Sequence, residues 1–117
     1  MLNITVERWD DFEFIILDGE IDMYVVPVMR TALLDTFKKR PKGVAVDLTD
    51  VPFMDSSGIA TLVEGLQWGR KGGCRFVLVG PQQNVLDTFK LAKLHNLFEI
   101  YAGKEEALTH LRSTDGR

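Results

Sequence analysis

The sequence is poor in cysteine and histidine and has no long apolar run, and each shortage excludes a class of protein. The lone Cys74 cannot form a bridge within the chain, which rules out a disulfide scaffold and points to a reducing compartment. His95 and His110 stand far apart and belong to no cluster with metal-ligand spacing. No stretch approaches the roughly 20 apolar residues that span a membrane. The opening Met-Leu-Asn-Ile-Thr-Val-Glu-Arg lacks the basic-then-apolar order of a signal peptide, so a cytoplasmic location without direct membrane insertion is expected. A net charge of −3 offers no positive field to draw nucleic acid. There is no Gly-x-x-x-x-Gly-Lys-Ser/Thr loop, and no motif that specifies a cofactor. A Ser-His-Asp set built from Ser56 and His95 would lack a nucleophile elbow, so an enzyme is not expected.

What is present is an ordinary globular composition, 45% hydrophobic and 26% charged over 117 residues, enough for one domain with one core. A domain over residues 1–112 is expected, followed by a short polar tail over 113–117. Phe12 to Leu17 is β-rich and begins with alternation, and Ile4 to Val6 is a shorter run before it, with Trp9-Asp10-Asp11 as a hairpin connection. Val44 to Leu48 and Phe76 to Val79 are nearly continuous apolar runs, as in strands buried on both faces, and Phe98 to Tyr101 is a weaker strand. Between them lie helical patterns. Val28, Leu33, Leu34 and Phe37 are expected to share a face within Val28 to Lys38. Ile59, Leu62, Val63 and Leu66 form a stripe within Ser57 to Gly69. Gln82 to Lys93 and Lys104 to Leu111 are the third and fourth helices. The order β-β-α-β-α-β-α-β-α predicts a mostly parallel sheet with an antiparallel N-terminal edge.

The segment from Asp47 to Leu66 runs from a buried strand through a loop into an amphipathic helix. Asp55, Ser56 and Ser57 cluster at the helix start, beyond the carboxyl end of a strand, where α/β folds bind ligands and partners. Asp and Ser are also preferred N-caps, so capping alone accounts for such a cluster. Either serine can be the cap while the other points outward. Gly58 eases the turn or lets the helix start pack closely. Thr61 and Glu64 fall away from the apolar stripe and are expected on the surface above Ser57.

Phe53-Met54-Asp55-Ser56-Ser57-Gly58, following a strand that ends Asp-Leu, resembles the core motif of the STAS domain as found in bacterial anti-sigma-factor antagonists. Gly19-Glu20-Ile21-Asp22 is similar to the family's Gly-Glu-Leu-Asp pattern. Gly72-Gly73 before Phe76-Val-Leu-Val79, and Leu97-Phe98-Glu99-Ile100, match two further landmarks in family order, so the resemblance covers about residues 3 to 111. The resemblance implies a single STAS-like α/β domain, with four or five strands and helices mainly on one face. It implies an anti-sigma-factor antagonist, which binds an anti-sigma factor with serine-kinase activity when unphosphorylated and releases it when phosphorylated. A serine phosphatase reverses the modification. Carried onto this chain, the modified residue is Ser56, with Ser57 as runner-up, and Asp22, Met23, Tyr24, Asp55, Ser57, Thr61 and Glu64 form the partner surface. Met23 and Tyr24 depart from the family's polar residues after the Asp, which makes this surface more apolar. A monomer or weak dimer is expected. STAS-like domains also serve as accessory subunits of transporters and lipid-transport complexes, and that alternative would involve no phospho-switch.

Overall fold

The structure, a computed structural model, describes residues 1–113; of the tail expected over 113–117, residues 114–117 lie outside the described residues. The elements are β1 (Asn3–Trp9), β2 (Phe12–Asp18), α1 (Val26–Lys38), β3 (Gly43–Asp50), α2 (Ser56–Lys71), β4 (Arg75–Val79), α3 (Gln83–Leu91), β5 (Glu99–Tyr101) and α4 (Lys104–Ser113). The order is the one read from the periodicities. The last helix takes in Ser113, the residue at which the tail was expected to begin.

The strands form one sheet in the order β1-β2-β3-β4-β5. The β1–β2 hairpin is antiparallel and every later pairing is parallel. Alternation along the strands divides the core between two faces. Ile15, Leu17, Val44, Val46, Leu48, Phe76 and Leu78 face one layer, which contains Leu33 of α1, Leu62 of α2 and Phe89 of α3. Phe12, Phe14, Ala45, Val77 and Val79 face the other, where Ala107, Leu108 and Leu111 of α4 cover them. Three helices therefore lie on one face and one on the other. The central strands are buried on both sides, which is why their sequences are continuous apolar runs rather than alternating ones.

Helix α1 buries Val26, Met29, Leu33 and Thr36, whereas Val28 and Leu34 are exposed, contrary to the expected face. The helix starts two residues earlier than the pattern suggested, and Pro27 sits in its first turn, where a missing N–H costs nothing. The inward set is spaced i, i+3, i+7, i+10 from Val26, which turns positions 28 and 34 toward solvent.

Candidate functional site

The chain reaches the site through two loops at the carboxyl ends of β2 and β3. The first begins at Gly19, whose φ of 128° suits glycine and whose Cβ, if added, would lie 2.5 Å from the Met1 carbonyl oxygen. Ile21 then forms an isolated parallel bridge with Met54: its N–H donates to the Phe53 carbonyl at 2.9 Å, and its carbonyl accepts from the Asp55 N–H at 3.0 Å. This bridge carries Asp22-Met23-Tyr24 alongside Asp55-Ser56. Asp22 fixes its own loop, accepting from the Tyr24 and Val25 N–H groups at 3.0 and 3.2 Å through its carboxylate.

Asp55 is the N-cap of α2. Its Oδ1 accepts from the N–H groups of Ser57 and Gly58 at 3.0 and 3.2 Å, and from the Ser57 hydroxyl at 2.6 Å. These bonds, the Ser57 hydroxyl foremost, hold its carboxyl below the usual carboxylate range despite partial desolvation. A carboxyl whose pKa is depressed in the folded state contributes stability that is complete above the unfolded value of about 4 and is lost as pH falls through the folded value. Asp55→Ala is expected to cost about 1 kcal/mol at neutral pH. That cost should shrink as pH falls below about 4, read from urea midpoints at several pH values.

The two serines have different surroundings. The Ser57 hydroxyl is committed to Asp55, whereas Ser56 is exposed and its hydroxyl has no hydrogen-bond partner among the described residues. Ser56 occupies the first helical position, where free N–H groups and the helix dipole favour negative charge. It also sits in a groove between α2 and α3, with Ile59, Ala60, Val63, Thr88, Leu91, Ala92 and Leu94. Gly58 allows α2 to begin this close to the bridge: a Cβ there would lie 2.6 Å from Met54 Cγ and 2.8 Å from Ile21 Cγ2. Both atoms lie near the backbone and yield little, so Gly58→Ala is expected to lose about 1–2 kcal/mol by calorimetry, despite alanine's better helix propensity.

Of the other expected surface residues, Met23 (65% exposed) and Tyr24 (83%) project into solvent beside this serine, and Asp22 is partly exposed. Sequence reasoning missed Phe53 and Leu91, which are also exposed; a large apolar residue in a loop or at a helix end carries no periodic signal. Glu64 is half-buried and paired with Arg30 of α1 at 2.9 Å. Thr61 is a correction: it is fully buried, its hydroxyl donating to the Ser57 carbonyl at 2.9 Å. Helix α2 meets α1 as well as the sheet, and its buried face is wider than the Ile59-Leu62-Leu66 stripe: it takes in Thr61 and Gly65, where an added Cβ would lie 2.9 Å from Phe76 Cζ of β4. Thr61 is no part of an exposed surface.

The STAS domain matches residues 3–107 of this chain. An anti-sigma-B factor antagonist of Listeria monocytogenes is 31% identical over 102 residues, 85% of this chain and 90% of that protein. The crystal structure of an anti-sigma factor antagonist from Mycobacterium paratuberculosis superposes with a TM-score of 0.82 at 27% identity, covering 96% of this chain and 95% of that one. The unphosphorylated anti-sigma factor antagonist SpoIIAA shares the fold, with a TM-score of 0.83 at 22% identity over 95% of this chain and 97% of its own. This chain therefore belongs to the STAS-domain family, among relatives that are anti-sigma factor antagonists.

Proposed function

We propose that this protein is an anti-sigma-factor antagonist, a binding protein whose switch is the phosphorylation of Ser56. The observation that carries this reading is the difference between the two serines: one hydroxyl is exposed and unpartnered, and its neighbour is consumed in the cap. The names of the relatives support the function class, and SpoIIAA, of the same fold, has been solved in unphosphorylated and phosphorylated forms. Unphosphorylated, the surface of Met23, Tyr24, Phe53, Ser56 and Leu91 engages an anti-sigma factor that is also a serine kinase. A phosphate brings roughly −1.5 to −2 charges to that surface and ends the contact, and a serine phosphatase restores it. The helix N-terminus accommodates the phosphate, so the fold need not change.

Site-mapped mass spectrometry of the protein from its native cells tests this. A phosphate on Ser56, together with capture of a kinase by Ser56→Ala but not by Ser56→Asp, is the expected result. Phosphate confined to Ser57, or none under any growth or stress condition, would overturn the assignment.

A further inference from the structure

Strand β1 is an edge of the sheet, and no described residue pairs with its outer side. Its register with β2 runs from Asn3↔Asp18 to Trp9↔Phe12, closed by a two-residue turn. In such a hairpin the closing pair is hydrogen-bonded and bonded pairs alternate, so Asn3, Thr5, Glu7 and Trp9 bond inward to β2. The N–H and C=O groups of Ile4, Val6 and Arg8 point outward, and no partner reaches them among the described residues. Natural edges of this length are usually blunted by proline, bulges or charges along the edge. This one has no proline and pairs with β2 without a register shift; its two charges, Glu7 and Arg8, stand at one end and are paired with Lys104 and Glu13, while Ile4-Thr5-Val6 at the other end is a β-branched run. Beside it lies a groove of about 620 Å³ between β1 and α1, with Ile4, Val6, Pro27 and Val28 along it. Val6 and Val28 are exposed. An unpaired edge next to an apolar groove fits an extended strand with apolar residues at alternate positions, and β1 itself is such a strand.

We infer that two copies of this chain pair edge to edge along β1, antiparallel, with Val6 opposite Val6 of the second copy. This register is selected by charge as well as by bonding. It sets Ile4 opposite Arg8 and Thr5 opposite Glu7, and all three outward-facing residues of each strand find a partner. Shifting the sum of paired positions by two in one direction places Glu7 opposite Glu7, and by four places Arg8 opposite Arg8; like charges directly opposed destabilise a ladder. A shift by two the other way leaves Arg8 outside the paired stretch, opposite Leu2. The chosen pairing fuses the two five-stranded sheets into one of ten strands. The second copy's Ile4 and Val6 then close the groove against α1. Ser56 lies beyond the end of β3, two strands away, so this contact leaves the serine free.

Sedimentation of the full chain across a concentration series tests the inference, together with amide exchange by NMR. The expected result is a concentration-dependent dimer in which the Ile4, Val6 and Arg8 amides gain protection as dimer forms. Val6→Lys places like charges across the two-fold axis without touching an internal hydrogen bond. It should weaken the dimer about tenfold or more while leaving thermal unfolding of the monomer unchanged. Val6→Cys should cross-link two copies through position 6 under mild oxidant, because Cys74 is buried. A monomer at millimolar concentration with these amides exchanging freely would overturn the proposal. So would a dimer that survives Val6→Lys, or edge amides protected by a different bound protein.

Discussion

Phosphorylation of Ser56 is expected to weaken binding to the anti-sigma factor by more than about a hundredfold, equivalent to roughly 3 kcal/mol. The magnitude follows from what surrounds the hydroxyl. Its groove is formed by apolar side chains and Thr88, with no cation among them, and the adjoining loop adds the carboxylates of Asp22 and Asp55. A dianion introduced there gains the helix dipole in the free protein, but the groove offers it no cation when the surface is covered. Most of the effect therefore falls on the complex and little on the fold. Calorimetric titration of the kinase with unmodified and phosphorylated protein measures it directly. Ser56→Asp, with one charge and a shorter reach, should give a smaller loss, and Ser57→Ala should leave the switch intact while weakening the cap. Amide spectra should change near the start of α2 and in the Asp22–Tyr24 loop only; changes across the whole sheet would show that the switch works by refolding instead.

How much of this was legible in the sequence depends on whether the feature was local or periodic. The strands over β2, β3 and β4 were visible because burial on two faces writes an apolar run. That a helix starts in the Asp55-Ser56-Ser57 cluster was visible because capping chemistry is local, but the cap is Asp55 rather than either serine, and the helix begins at Ser56, one residue before the expected Ser57. The separation of the two serines was not, since it turns on which hydroxyl reaches Asp55, a matter of a single rotamer. The Ile21–Met54 bridge was equally hidden: one pair of residues has no period, yet it joins the two halves of the site. Thr61 was misplaced because a helical pattern shows one apolar stripe, while the buried face of α2 is wider than that stripe and takes in Thr61 and Gly65, neither of which carries an apolar signal. Val28 was misplaced because the register of α1 rests on Val26 and Met29, outside the expected face. Both errors have the same origin: tertiary packing decides the width and phase of a buried face, and sequence shows only its most apolar part.

The hairpin hides one more long-range arrangement, and it should govern stability. Glu13 on β2 is 1% exposed, a carboxylate in a row of core residues. Arg8 Nη1 donates to one of its oxygens at 2.7 Å, and Lys39 Nζ, just past the end of α1, donates to the other at 3.2 Å. Each cation is about half exposed, so water reaches the outer side of the cluster while the carboxylate itself stays dry. Removing both cations with Arg8→Met and Lys39→Met strands a buried charge, and the expected loss is about 3 kcal/mol, the lower end for a broken buried pair because of that partial hydration. Either single change should cost clearly less, since the remaining cation still satisfies Glu13; the shortfall of the two singles against the double, read from urea midpoints, measures the coupling. The decisive variant adds Glu13→Leu to the double change. If the loss arises from the stranded charge, replacing the whole cluster by apolar side chains of similar volume should return most of the stability. If the triple variant stays as unstable as the double, the stems of Arg8 and Lys39 matter through packing rather than charge, and the electrostatic account of this cluster fails.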